Sequence, residues 1–193
     1  MSTAFRFPLA ATVVALCVAL ASPARADENM LRGPHPFLKS NELSAHILLA
    51  GGGGSTPGGT KLAVDYGYKL APPLWFDVAL NYQHSTCHEQ SGATTCSQAT
   101  GDVWETLAGV KLKFATAIPV VPFVKAMAGF AFEFPDGRYN GGGIAGRVGG
   151  GANYFFYDWL GLGVELGVSF GYLSTNPTGY SVIDFGGGLE FQF

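Results

Sequence analysis

Beyond about residue 43, apolar and polar side chains alternate with a period of two, and clusters of Gly, Pro and Asn interrupt the alternation. That is the signature of half-buried strands joined by turns. Eight such segments are predicted, at about 43–50, 61–70, 75–84, 103–114, 122–133, 146–156, 160–172 and 181–193. Most are close to the roughly 9–11 residues that cross a bilayer as a tilted strand. No part of this region sustains a helical period.

The two faces separate cleanly. In the seventh segment Leu160, Leu162, Val164, Leu166, Val168, Phe170 and Tyr172 oppose Gly161, Gly163, Glu165, Gly167, Ser169 and Gly171. The last sets Ile183, Phe185, Leu189, Phe191 and Phe193 against Val182, Asp184, Gly186, Gly188, Glu190 and Gln192. The charged residues of the segments all fall on the polar face: Lys61, Asp65, Lys69, Asp77, Glu105, Lys111, Lys113, Lys125, Glu133, Arg147, Glu165, Asp184 and Glu190. Connections alternate as well. Those at 51–60, 85–102, 134–145 and 173–180 read as longer than those at 71–74, 115–121 and 157–159. An up-and-down barrel with one long-looped rim and one tight rim has this asymmetry.

Alternation alone does not say which face is outside, because a soluble carrier barrel has the same period. Two features point the apolar face outward. The polar face is rich in small residues such as Ala63, Gly67, Gly109, Gly149, Gly163 and Gly167, which would weaken a solvent-facing wall but fit a narrow interior. Aromatics, among them Trp75, Phe76, Trp104, Phe123, Phe155 and Trp159, gather toward strand ends, where membrane girdles form. The fold class expected is all-β: an eight-stranded antiparallel up-and-down transmembrane β-barrel spanning 43–193.

The N-terminal region reads differently. Arg6, the apolar run Leu9–Ala21 and Ala24-Arg25-Ala26 have the form of a secretory signal peptide over 1–26. Residues 27–42 are then expected to form a short periplasmic tail. Loss of Arg6 and Arg25 leaves nine basic against fourteen acidic residues, a formal charge of −5. That balance offers no footprint for nucleic acid. Charged residues are 13% of the chain, against about 25% in an ordinary soluble domain. In an exported chain Cys87 and Cys96 read as a disulfide pair. A metal site using His84 and His88 is the rival reading, without the paired short spacings structural zinc prefers.

The cleavable leader, eight alternating strands and the final Leu189-x-Phe191-x-Phe193 together resemble the small outer-membrane barrels of the OmpA/OmpX and opacity-protein type. The resemblance is architectural and covers essentially the whole mature chain. It implies a bacterial outer-membrane location and contact with outer-membrane lipids and lipopolysaccharide, and closure of such a barrel makes a monomer sufficient. It also implies that Leu189, Phe191 and Phe193 serve as a C-terminal signal for the barrel-assembly machinery.

Candidate chemistry is sparse. Glu105, Lys111, Lys125, Arg147, Glu165 and Asp184 are expected to meet as an interior charge network, since an eight-stranded barrel is just wide enough for side chains to fill it and buried charges must pair. The network reads as a plug, with a narrow pore as the alternative. Gly141-x-Gly143-x-x-Gly146 matches a dinucleotide fingerprint, but the alternation from Arg147 onward contradicts the required helix. A lipid A-modifying enzyme would need a His, Ser and carboxylate in mutual reach. His84-Ser85 with Glu89 is a loop boundary rather than a recognisable motif, and His46 stands alone on its strand. No catalytic residue and no cofactor are expected. The loops 85–102 and 134–145, the second carrying Arg138 and Tyr139, are where an extracellular ligand would be met. The leading expectation is a structural or surface-interaction role. The alternatives are the pore, the lipid A enzyme and a soluble periplasmic ligand-binding barrel.

Overall fold

Eight strands form where the alternation predicts them: β1 Asn41–Gly52, β2 Gly59–Ala71, β3 Leu74–Ser85, β4 Gly101–Lys113, β5 Val120–Pro135, β6 Gly141–Tyr157, β7 Leu160–Leu173 and β8 Asn176–Gln192. The computed structural model describes residues 38–52, 58–85, 101–114, 116, 118–135, 140–174 and 176–193. The expected signal peptide, the tail up to residue 37, Cys87 with Cys96, and Arg138 with Tyr139 lie outside the described residues.

Each strand pairs antiparallel with its sequence neighbour, and β1 pairs with β8, closing the sheet. The register fixes the dimensions. A walk from Asn41 across Tyr68, Phe76, Val110, Ala126, Val148, Val168 and Ile183 returns to β1 at Gly51, ten residues beyond its start. Eight strands with that stagger tilt by about 40° and enclose a barrel about 8 Å in backbone radius, given strand spacing near 4.8 Å. Such a lumen holds side chains and little else.

The strands run past several expected ends. β1 starts at Asn41, so Glu42, expected in the tail, is the first inward residue of the barrel. β5 reaches Pro135, β6 begins at Gly141 and β8 at Asn176, so the connections expected at 134–145 and 173–180 shrink to 136–140 and 174–175. Neighbouring strands supply the reason, since Glu133 pairs with Gly141 and Leu173 with Asn176. Gly141, Gly143 and Gly146 therefore sit within β6, opposite Glu133, Ala131 and Ala128, where no phosphate-cradling turn exists. The contrast in connection length is large at 86–100 and slight elsewhere, since 114–119 exceeds 136–140.

Candidate functional site

Alternation sorts the described side chains onto two walls of opposite chemistry. Outward positions carry Ile47, Leu62, Val78, Val110, Val124, Val148, Leu166 and Ile183, all well exposed. Among the described outward strand positions the charged exception is Asp102. It stands at the rim bearing the 86–100 connection, where its Oδ1 accepts from Tyr82 Oη at 3.0 Å and lies 2.8 Å from His84 Nδ1. At the opposite rim Phe156, Tyr157, Trp159 and Phe191 form a run of ring contacts at 5.3–6.3 Å. An apolar surface wrapped around a whole molecule greatly exceeds the patches that soluble monomers expose.

Three aromatics expected near the girdles point inward instead: Trp75, Phe123 and Phe155 are buried. They share the odd-numbered face of their strands with Asp77, Lys125 and Asn153. Lys113 Nζ stands 4.8 Å above the Trp75 ring and Lys111 Nζ 5.5 Å from that of Phe123. These rings accept cations from inside, a use of the π-face that a desolvated site strengthens.

Buried charges come from every strand: Glu42, Lys61, Asp65, Asp77, Glu105, Lys111, Lys113, Lys125, Arg147, Glu165, Asp184 and Glu190. They form two chains of alternating sign. One runs Glu105, Lys61, Asp184, Arg147, Glu165, Lys125, Asp65. Lys61 Nζ donates to Glu105 Oε2 at 2.9 Å and lies 3.5 Å from Asp184 Oδ2. Arg147 donates to Asp184, and its Nη2 to Glu165 Oε1 at 2.7 Å. Lys125 Nζ lies 2.9 Å from Glu165 Oε2 and 3.0 Å from Asp65 Oδ2. Ser169 Oγ, Asn81 and the Tyr180 hydroxyl add hydrogen bonds to Lys61, Arg147 and Glu105.

The second chain runs Asp77, Lys111, Glu42, Lys113, Glu190. Lys111 Nζ lies 2.6 Å from Glu42 Oε1 and 3.0 Å from Asp77 Oδ2. Lys113 donates to Glu42, and to Glu190 Oε1 at 2.7 Å. Asn153 and Gln192 also donate to Glu190.

The structure thus brings Glu105, Lys125, Arg147, Glu165 and Asp184 into one chain and puts Lys111 in the other. Sequence reasoning missed Glu42, because its partners lie 69 and 71 residues away. It also left His46 without surroundings, although His46 is buried beside Asp65, with Nδ1 4.0 Å from Oδ2. Leu189 and Phe193 are exposed on the outer wall, and Phe191 is half-buried beside Trp159. The Phe193 backbone exchanges two hydrogen bonds with Asn41.

Small residues make the interior possible. A Cβ on Gly67 would stand 2.6 Å from Glu42 Cγ, and one on Gly163 would stand 2.9 Å from His46 Nε2. Beside the charges, Ala79, Leu107, Met127, Ala131, Ala145 and Leu173 make a buried apolar cluster. Chemically, this lumen pairs its cations with carboxylates and immobilises both. It is the inverse of a soluble carrier barrel, whose cavity is apolar and whose exterior is polar.

No protein-family model and no curated protein matches the sequence. Solved structures do. Neisserial surface protein A superposes with a TM-score of 0.61 at 17% identity, covering 79% of this chain and 96% of that one. The N-terminal β-barrel domain of Pseudomonas aeruginosa OprF gives 0.48 at 14%, covering 80% and 98%. Ail, the attachment invasion locus protein of Yersinia pestis, gives 0.40 at 14%, covering 79% and 97%. At these identities the likeness to the Neisserial protein is one of fold, and it places this chain among small closed eight-stranded barrels.

Proposed function

We propose that this chain is a bacterial outer-membrane β-barrel with a structural or surface-interaction role and no catalytic activity. One observation carries the reading: the exposed wall is apolar while the buried wall holds the charges. Water would favour the reverse arrangement, whereas a bilayer rewards this one, because closure satisfies every ladder and leaves no edge in lipid.

The remaining parts follow from the sequence. Residues 1–26 direct export and are removed. Leu189, Phe191 and Phe193 are read by the barrel-assembly machinery. Outer-membrane lipids and lipopolysaccharide cover the wall, and Cys87–Cys96 staples the 85–102 loop. The barrel is complete as a monomer. Contact with an extracellular ligand falls to that loop and to 136–140, the part of the 134–145 segment left outside the strands. The fold-mate from Neisseria is named a surface protein, which suits this role. A pore is disfavoured by an axis filled with paired charges and buried rings.

Fractionation with heat-modifiable gel mobility tests the proposal. The mature protein should appear in the outer membrane, migrate faster unheated than boiled, and need detergent for extraction. A folded mature protein that stays soluble without detergent would overturn it.

A further inference from the structure

His46 is buried, yet neither ring nitrogen has a hydrogen-bond partner. Asp65 Oδ1 beside it also lacks one, while Glu165 Oε2 faces the Lys125 ammonium at 2.9 Å. A buried imidazole ordinarily places its donor and its acceptor. Here one nitrogen of His46 and one oxygen each of Asp65 and Glu165 lie within 4.8 Å of one another.

Charge gives an independent pointer. Seven of the buried charged residues among those described are acidic and five are basic, so the lumen carries a formal −2 with His46 neutral. Excess negative charge in a water-poor interior is offset by a bound cation or by protonation of a carboxylate. Lys125 is the resident cation of the cluster, but it leaves the imidazole and Asp65 Oδ1 unused.

We propose that His46, Asp65 and Glu165 bind one divalent transition-metal ion inside the barrel. An imidazole with two carboxylates is a borderline-to-hard donor set suited to zinc and its neighbours. Ligands about 2.1 Å from a tetrahedral ion stand about 3.4 Å apart, so the donors must draw in by roughly an ångström from their present spacing. Gly163 has no side chain to collide with His46 Nε2 and Asn153 Oδ1, which lie 2.9 and 2.5 Å from where its Cβ would stand. A charge of +2 would cancel the formal −2 of the lumen. Lys125 then becomes a competitor, and removing its ammonium should tighten the site. Because the cluster is sealed within the lumen, the ion enters while the barrel closes. The inference does not depend on which membrane holds the barrel.

The test is refolding of the full mature chain into detergent micelles with Zn²⁺, followed by desalting and metal analysis, with competition by a chelator to rank affinity. Wild type should retain one zinc per chain, His46→Ala should weaken retention by about 10-fold or more, and Lys125→Met should strengthen it. No zinc in the wild type, or zinc that survives His46→Ala unweakened as it would at the rim residue His84, overturns the proposal. Should His46→Ala fail to give the heat-modifiable form, zinc anomalous scattering from wild-type crystals decides. A peak between the three side chains supports the site, and a peak confined to the rim sinks it.

Discussion

The Arg147 guanidinium occupies the space that a side chain on Gly167 would need: a Cβ there would lie 2.5 Å from Nη2. Glu165 and Asp184 hold that guanidinium by hydrogen bonds, so it is not free to swing aside. Gly167→Val should therefore cost about 1–3 kcal/mol, the usual range for overpacking. Gly51→Ala, whose nearest neighbour would be 3.8 Å away, should be close to neutral. Urea unfolding of the refolded barrel compares them.

Arg147 links Glu165 to Asp184 while almost wholly buried. Arg147→Met leaves Glu165 to Lys125 and Asp184 to the more distant Lys61, and should destabilise by about 3–5 kcal/mol. Adding Asp184→Asn should recover part of that loss, because the carboxylate left with the longer Lys61 contact disappears. A double-mutant cycle on unfolding midpoints reads the coupling, and strict additivity would show that the pair is not coupled.

Depth along the outer wall gives a sharper test of the surroundings. Leu166 lies mid-strand on β7, whereas Tyr157 ends β6 at the rim. Leu166→Arg in lipid vesicles should cost about 2–4 kcal/mol and Tyr157→Arg about 0–1 kcal/mol. Equal small costs at both sites would mean that the wall faces water.

For the C-terminus, assembly and stability should separate. Phe193 meets Asn41 through its backbone, and its side chain is nearly half exposed. Phe193→Ala should leave refolding in detergent essentially unchanged while lowering the folded fraction recovered from cells several-fold. Equal losses in both settings would make the residue structural only.

Much of this was legible from period two, because an inward charge and an outward Leu differ at every second position. Strand ends were not, where Gly141–Gly143 and Asn176 are turn-like residues yet pair with β5 and β7. Glycine shows no parity, so only the neighbouring strand reveals that the ladder continues. Trp75 misled for a related reason: an aromatic near a strand end suits a girdle, while its odd number shares the face of Asp77. Which cation meets which carboxylate was also hidden. Lys125 reaches Asp65 from three strands away, and that meeting is set by the ten-residue stagger of the sheet rather than by any local spacing. His46 was isolated in the sequence because its neighbours arrive from β2 and β7.

The seam between β1 and β8 carries a consequence for how the barrel comes into being. Glu42 is on the first strand and Asp184 and Glu190 on the last, yet their cations sit on strands between. A sheet open at that seam is more than a barrel lacking some ladder bonds. It parts Lys61 on β2 from Asp184 on β8, and Lys113 on β4 from Glu190 on β8, on a face exposed to whatever lies beside the open edge, whereas Arg147 on β6 stays two strands from Asp184. Zipping the seam and discharging the interior are one event, so partly closed forms should be scarce and unfolding should be all-or-none.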